Sequence, residues 1–361
     1  MKMKFFAVAL MMMAVSLDGI PPGKLCGVTA KTPLVLATKQ EKVELFAQRC
    51  PHSREYIRRH GILVLRPRAK ATILVMHGYT CDKVDVGFMR LIFPEYNLLL
   101  FDFRAHGEDI EGQCSTMGRD EIYDIFAAID YLRSHPSTKD LPIIGWGFSM
   151  GASTAIVAQA TDPTLFKALI LDCPFDSSLN LIKRGMDKLR TIRIPLLGYE
   201  VEIPGRHLLE QYAFHEYVQP VVLFFLRLFA RMDATRVSTV PKAITPQESI
   251  KKVTIPCYFV TCVADDRVPF DAVYADYMNA AGIKRLWLTK GKRHFGSIFH
   301  NPELYKEVLN QFISDVLTGD IAYQPHEQVF SEVSYERMAK KHAQLYVHEL
   351  PDECKRLLLC P

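Results

Sequence analysis

Residues 142–156, Pro-Ile-Ile-Gly-Trp-Gly-Phe-Ser-Met-Gly-Ala-Ser-Thr-Ala-Ile, decide the fold. The apolar opening of this segment predicts the end of a buried strand, and residues 150–159 are rich in small side chains, which is typical of a helix packed closely against a sheet. Between them, residues 147–151 have the form G-x-S-x-G, in which two glycines allow a turn sharp enough to hold a serine in a strained, exposed position. Ser149 is therefore a candidate nucleophile, with an ordinary turn serine as the alternative.

Strands and helices alternate on both sides of this segment. Apolar runs predict strands at residues 62–65, 72–76, 97–103, 168–171, 255–263 and, as the last one, 285–289; amphipathic or capped runs predict helices at 41–47, 119–134 and 302–317. The first two strands are expected to be neighbours, because a short basic turn joins them. This rhythm predicts an α/β fold with a mostly parallel central sheet and helices on both faces. Ligands of such sheets bind at the carboxyl ends of the strands.

Two backbone N–H groups are candidates for an oxyanion hole. The strand at residues 72–76 ends in His77-Gly78-Tyr79, where the glycine lets the loop curl back over the sheet edge. The N–H of Tyr79 would then point at the same place as the N–H of Met150, the residue after the candidate nucleophile. Two such donors can stabilise a developing oxyanion. A tight turn without a function is the alternative.

An acid and a base are expected at the ends of later strands. Asp265 follows the strand at residues 255–263, and a carboxylate there can accept the Nδ1 proton of a histidine. His294 follows the last predicted strand in a glycine-flanked loop, which makes it the candidate general base. The rival acid is Asp172, one strand earlier, and the rival base is His300, which lies beside a helix cap.

A second group of polar residues follows the strand at residues 97–103. His106 is interpreted as structural, since its loop precedes the nucleophile and would support it. Asp102 and Arg104 are expected to pair with each other and shape the same loop.

The alternation stops between residues 177 and 248. This stretch contains an amphipathic segment and a very apolar one at residues 220–232, so it predicts a helical lid inserted after the sixth strand. The apolar segment is too short to span a membrane. Simple lid packing, an apolar wall for an acyl chain and contact with a membrane surface are the three readings considered.

The two ends of the chain differ from the rest. Residues 1–16 combine two lysines, an apolar run and small residues before a cleavage position, which predicts a cleavable export signal and a periplasmic or secreted protein. An apolar N-terminal element of a cytoplasmic protein is the alternative. Residues 17–60 are interpreted as an N-terminal extension, 61–319 as the catalytic domain and 320–361 as a C-terminal extension.

The composition of the chain gives no support for nucleic-acid binding or for a metal site. With 44 basic and 40 acidic side chains the net charge is only +4, so nucleic-acid binding has no support. The nine cysteines lack zinc spacing, and no metal is expected. Cys257 and Cys262 would share a strand too far apart to bridge, whereas Cys81 with Cys114 and Cys354 with Cys360 are candidate disulfides.

Taken together, the motifs resemble those of the α/β-hydrolase superfamily over about residues 61–317. The resemblance rests on His77-Gly78-Tyr79, Asp102-x-Arg104-x-His106-Gly107, Gly147-Phe148-Ser149-Met150-Gly151, Asp265-x-x-Val268-Pro269 and the final His294. More narrowly the chain looks like the branch with monoacylglycerol lipase-like enzymes, bacterial carboxylesterases and relatives of prolyl oligopeptidase. The resemblance implies hydrolysis of acyl esters through a serine-bound acyl intermediate, with no cofactor.

The expected function is therefore carboxylic ester hydrolysis by a Ser149, Asp265 and His294 triad. Three alternatives stay open: a serine peptidase, an acyltransferase or thioesterase with the same triad, and a hydrolase-fold interaction protein without activity.

Overall fold

A computed structural model of the protein describes residues 39–110, 112–178, 180, 181, 184, 191–193, 200–202 and 245–332. The strands are β1 Lys39–Gln48, β2 Tyr56–Leu65, β3 Thr72–Met76, β4 Asn97–Phe101, β5 Ile143–Phe148, β6 Ala168–Asp172, β7 Thr191–Arg193, β8 Glu200–Glu202, β9 Cys257–Cys262, β10 Lys284–Thr289 and β11 Glu327–Ser331. The α-helices are α1 Met89–Ile92, α2 Ile122–Ser134, α3 Met150–Thr161, α4 Pro246–Ser249, α5 Phe270–Asn279, α6 Gly296–His300 and α7 Pro302–Thr318; short 3₁₀ helices span Ile250–Lys252 and Asp320–Tyr323.

Nine of these strands form one sheet in the order β1-β2-β4-β3-β5-β6-β9-β10-β11. Strands β3 to β6 and β9 to β11 run parallel within it, whereas β1 pairs antiparallel with β2, and β2 antiparallel with β4. The predicted mostly parallel sheet is therefore confirmed. Because the parallel strands share one direction, the loops that follow β3, β5, β6, β9 and β10 leave the same edge.

Helices cover both faces of the sheet. Side chains alternate between the faces along each strand, so that in β3 Leu74 and Met76 join one core while Ile73 and Val75 join the other. The first core includes residues of α2, α3 and α5, and the second includes residues of α1 and α7. All five β3 side chains are fully buried. The central strands are thus fixed from both sides, which holds their carboxyl ends in place.

Two elements differ from the sequence-based prediction. Residues 41–47 were expected to be helical but lie in β1, where Val43, Leu45 and Ala47 are buried and the residues between them are exposed. The helix prediction was wrong because buried residues that recur at every second position are typical of a strand. The strand at residues 285–289 is not the last, since β11 pairs parallel with it. The sheet therefore extends beyond residues 61 and 319 at both ends.

The order of the first strands is a further correction. The strands at residues 62–65 and 72–76 were expected to be neighbours, but β4 lies between β2 and β3. By contrast, the cap predicted for the last long helix is confirmed. The side chain of Asn301 accepts a hydrogen bond of 3.1 Å from the N–H of Leu304, and Gly319 ends α7 with φ of 86°.

Several sequence predictions lie outside the described residues. These are the export signal at residues 1–16, most of the lid at 177–248 with its apolar segment, and most of the C-terminal extension, including Cys354 and Cys360. Within the lid, the described strands β7 and β8 form an antiparallel pair. The six cysteines in the described residues are all free, including Cys81 and Cys114. In the described part of the chain, no helix has the length and apolar character needed to cross a membrane.

Candidate active site

Ser149 lies in a sharp turn between β5 and α3. Its backbone has φ of 51° and ψ of −113°, which is a strained conformation for a residue with a side chain. The turn is held by a hydrogen bond of 2.8 Å from the N–H of Ser149 to the carbonyl of Asp172. A Cβ atom on Gly151 would lie 2.2 Å from the carbonyl oxygen of Met76, so only glycine fits there. The predicted strain is present, but Ser149 is only 9% exposed, so the turn is recessed rather than open.

Asp265 and His294 are brought together at the same edge of the sheet. Nδ1 of His294 lies 2.7 Å from Oδ2 of Asp265, while Oδ1 accepts hydrogen bonds of 2.9 Å from the N–H groups of Arg267 and Val268. Burial acts to raise the pKa of Asp265, but the charge of His294 and these hydrogen bonds hold the pKa below its ordinary value. An ionised Asp265 makes Nδ1 the protonated nitrogen of the imidazole. Nε2 of His294 is then free to accept a proton.

Aromatic contacts place His294 next to the turn that carries Ser149. The ring of Phe148, the residue before Ser149, lies 4.9 Å from the ring of His294 and 3.7 Å from that of Phe295, measured between centroids. Phe295 adopts a left-handed backbone with φ of 66°, which is strained for a bulky residue. Its ring also contacts Trp146 of β5. The loop after β10 is thereby fixed against the strand that ends at the candidate nucleophile.

The loop with Tyr79 packs against the same turn. A Cβ atom on Gly78 would lie 2.8 Å from the ring of Phe148, so the glycine permits the close approach. Nδ1 of His77 donates to the carbonyl of Gly78 at 2.8 Å, and Nε2 accepts from the N–H of Phe103 at 3.0 Å. Burial lowers the pKa of His77 to about 3, so the ring is neutral. The loop that carries the N–H of Tyr79 is thus tied to the segment that follows β4.

His106 packs against the loop that carries Tyr79. Its Nδ1 lies 2.8 Å from the carbonyl of Arg104, and its ring makes edge contacts with the rings of His77 and Tyr79 at 5.3 and 5.4 Å. Burial lowers the pKa of His106 as well. The structural role predicted for His106 agrees with these contacts.

The expected pair between Asp102 and Arg104 does not form. Asp102 binds Lys83, with 2.5 Å between Oδ2 and Nζ, while Arg104 binds Asp124 with 2.8 Å between Nη2 and Oδ1. The prediction was wrong because the two side chains find partners that are distant in sequence. Lys83 also binds Glu108 at 2.6 Å. The carboxylates of Asp102 and Asp124 are inaccessible to solvent, so they stabilise loops rather than offer a reactive group.

Neither His300, the alternative base, nor Asp172, the alternative acid, is part of the hydrogen-bonded pair of Asp265 and His294. Nε2 of His300 lies 3.5 Å from Oε2 of Glu332, and its side chain is 37% exposed. Asp172 is fully buried and accepts a hydrogen bond of 2.8 Å from the hydroxyl of Tyr305. Burial raises the pKa of Asp172 to about 6, although its hydrogen bonds act in the opposite direction. Asp172 is therefore next to the site without being the partner of His294.

Cys173 was missed by sequence reasoning. Its Sγ, a carboxylate oxygen of Asp265 and a ring nitrogen of His294 all lie within 4.8 Å of one another. These are ligand types that zinc accepts, at bond lengths of about 2.0–2.3 Å. However, the 2.7 Å between Nδ1 of His294 and Oδ2 of Asp265 leaves no room for an ion between them. Cys173, Asp265 and His294 are therefore arranged for hydrogen bonding rather than for binding a metal ion. In the sequence, only the position of Cys173 directly after β6 could have indicated that it belongs to the site.

A profile of the alpha/beta hydrolase family matches residues 73–308, more than half of the chain. The chain belongs to the alpha/beta hydrolase family. Its fold is similar to the esterase Pf2001 from Pyrococcus furiosus, with 22% identity, a TM-score of 0.57 and coverage of 80% of this chain and 96% of that one. It is also similar to the peroxisomal alpha-beta-hydrolase Lpx1 from Saccharomyces cerevisiae, with 14% identity, a TM-score of 0.54 and coverage of 90% and 99%. At these identities the likeness concerns the fold, and it confirms the architecture expected for an α/β hydrolase.

Proposed function

We propose that this α/β hydrolase is a serine esterase that cleaves carboxylic esters through an acyl-enzyme intermediate. Ser149 is the nucleophile, His294 the general base and Asp265 the acid of the triad. The observation that carries the proposal is the 2.7 Å contact between Nδ1 of His294 and Oδ2 of Asp265, at the sheet edge where Ser149 lies in its strained turn. The esterase among the similar structures supports the choice of esters as substrates.

In the first half-reaction, Oγ of Ser149 attacks the ester carbonyl while Nε2 of His294 takes its proton. The imidazolium that results is stabilised by the carboxylate of Asp265. His294 then returns the proton to the alcohol oxygen, the bond from carbonyl carbon to alcohol oxygen breaks, and the acyl group stays on Ser149. A water molecule attacks this acyl group in the second half-reaction, with His294 again accepting the proton. His294 then returns the proton to Oγ of Ser149 as the bond from the carbonyl carbon to Oγ breaks, which releases the carboxylic acid.

The oxyanion formed in each half-reaction needs hydrogen-bond donors. We assign these to the backbone N–H groups of Tyr79 and Met150. The N–H of Met150 belongs to the first turn of α3, where the helix dipole also favours negative charge. Gly78 lets the other loop approach Phe148 closely, which supports the assignment of the Tyr79 N–H as the second donor. One donor of this kind contributes about 3 kcal/mol to transition-state stabilisation.

Labelling with a fluorophosphonate tests the nucleophile directly. The purified protein is expected to react at Ser149 and to hydrolyse p-nitrophenyl esters, and Ser149→Ala is expected to abolish both. Ser137→Ala is the matched control, because it makes the same change at an exposed serine far from this turn. An inactive wild type that is not labelled would reject the proposal.

The base is tested by comparing two histidines. His294→Gln is expected to lower kcat by several orders of magnitude, whereas His300→Gln, its matched control, changes little. Equal losses in both variants would contradict the assignment. A panel of esters, aminoacyl amides and thioesters then separates an esterase from a peptidase or a thioesterase, and esters are expected to have the highest kcat/KM.

A further inference from the structure

A second buried carboxyl group lies behind the proposed triad. Asp172, at the end of β6, accepts hydrogen bonds on both oxygens: from Tyr305 to Oδ2 at 2.8 Å and from Sγ of Cys173 to Oδ1 at 3.2 Å. The Tyr305 hydroxyl in turn accepts a bond of 3.0 Å from Nε1 of Trp146 on β5, so it is oriented to donate to Asp172. We call Trp146, Tyr305, Asp172 and Cys173 the support cluster. None of its members has a role in the mechanism described above.

The thiol of Cys173 lies between two carboxylates. Its Sγ lies 3.2 Å from Oδ1 of Asp172 and within 4.8 Å of a carboxylate oxygen of Asp265. A thiol has only one hydrogen, so it can donate to only one of the two carboxylates at a time. The cluster therefore connects the side chain that binds His294 to a second acid that does not.

The backbone of Cys173 indicates that this position is constrained. Its φ of 52° is unusual and strained for a residue with a side chain. A bond of 2.8 Å from its N–H to the carbonyl of Val260 on β9 holds it in place, and the residue is fully buried. Strain of this kind is retained where the surrounding structure requires one side-chain position. Here that position is the one between Asp172 and Asp265.

We propose that Cys173 is a positioning residue whose single S–H is shared between Asp172 and Asp265, so that ionisation of Asp172 controls how firmly Asp265 holds His294. The inference rests on the proposed function. When Asp172 is ionised, it is the stronger acceptor for the thiol, and the oxygens of Asp265 remain available to His294 and the main chain. When Asp172 is protonated, the S–H turns to Asp265 and competes with His294.

The charges around Asp172 set the pH at which this change occurs. Tyr305 on α7 faces it directly, Asp265 and His294 approach from the loops after β9 and β10, and Cys262 of β9 faces the thiol. Burial is the main influence and raises the pKa of Asp172 to about 6. Asp172 is thus ionised above about pH 6. The negative charge would then also stabilise the imidazolium of His294, so reactivity falls as the pH drops through this value.

Kinetics over pH 4.5–8.5 test the proposal. The acid limb of kcat/KM for wild type is expected to contain a step near pH 6 that Asp172→Asn lacks. At pH 7.5, Asp172→Asn is expected to lower kcat/KM about tenfold with KM unchanged, as for groups in direct contact. Cys173→Ala removes the S–H that would turn to Asp265, so it should keep kcat/KM at pH 7.5 and show a smaller step near pH 6, whereas Cys173→Ser keeps a donor and should keep the step. Tyr305→Phe removes a donor to the carboxylate, so the step should move to higher pH.

The matched control is Asp276→Asn, which changes another buried carboxyl group, in α5. It is expected to leave the shape of the profile unchanged. If Asp172→Asn, Cys173→Ala and Tyr305→Phe all keep the wild-type profile, the cluster is only packing and the inference is wrong.

A second measurement separates this outcome from failure of the proposed function. The imidazole NMR signals of His294 should follow different pH titrations in wild type and in Asp172→Asn, because residue 172 gains or loses a proton only in wild type. This response does not require activity. A wild type without fluorophosphonate labelling would therefore overturn the esterase proposal, while identical NMR titrations of wild type and Asp172→Asn would overturn this one.

Discussion

Replacing Arg104 by Met tests how the loop after β4 is held. Its guanidinium donates from Nε and Nη2 to the two oxygens of Asp124, at 3.0 and 2.8 Å, and from Nη1 and Nη2 to the carbonyls of Arg49 and Gln48. Arg104 is 3% exposed and Asp124 is fully buried. The substitution leaves the carboxylate of Asp124 buried, and within the described part of the chain its only remaining hydrogen-bond donor is the main-chain N–H of residue 104, at 2.9 Å. It also releases the end of β1.

Removal of one member of a buried ion pair costs about 3–5 kcal/mol, a large share of the 5–15 kcal/mol that stabilises a typical protein. Urea unfolding of wild type and Arg104→Met at pH 7.5 measures this loss. Lys251→Met is the control, since the pair of Lys251 with Glu248 is exposed and should contribute less than about 1 kcal/mol. A double change, Arg104→Met with Asp124→Leu, should recover part of the stability. A cost for Arg104→Met no larger than that of the control would refute this account.

Three further changes probe the site and the core. Asp265→Asn should lower kcat by about 10³–10⁴ with little change in KM, because the imidazole tautomer is no longer fixed; steady-state kinetics on a p-nitrophenyl ester measure it. In Gly78→Ala the new methyl group meets the ring of Phe148, so the loop with Tyr79 moves and kcat should fall about tenfold or more, while unfolding stays cooperative. Among the described residues, neither oxygen of Asp276 has a hydrogen-bond partner, and burial raises its pKa well above the ordinary value. The folded protein therefore binds this proton more tightly than the unfolded chain, stability falls as the pH rises above about 4, and the advantage of Asp276→Asn in urea unfolding should grow with pH. An advantage that shrinks with pH would contradict it.

The position of the site at one edge of the sheet could be predicted from the sequence because each candidate residue lies in the turn or loop that follows a strand. Ser149, Asp265 and His294 come after apolar runs, and parallel strands deliver such residues to one edge whatever the distance along the chain. The order of the strands was not needed for this. The wrong prediction of which strands neighbour β3 therefore did not affect the expected position of these residues at one edge of the sheet.

The errors arose where local composition and tertiary context disagree. Strand β1 contains Lys, Glu and Gln, which favour helices, and only the alternation of its buried side chains marks it as a strand. Pairing with β2 over ten residues outweighs that local preference. The pair expected between Asp102 and Arg104 failed for a related reason. Their partners Lys83 and Asp124 come from other segments, and spacing along the chain carries no information about them.

The sequence analysis assigned the acid to Asp265 and kept Asp172 as the rival, but position after a strand does not separate the two, since β6 and β9 are adjacent and both carboxyl groups lie at the same edge. Their surroundings separate them. Asp265 receives two main-chain N–H groups and a histidine, and its pKa is lowered; Asp172 receives a phenol and a thiol in a fully buried position, and its pKa is raised to about 6. Two carboxyl groups whose environments push their pKa values apart can serve different roles. Under the proposed mechanism, Asp265 is always charged when the enzyme works, whereas Asp172 can gain or lose a proton within the working range. Position at the sheet edge thus selects the candidates, and the donors around each one assign its role.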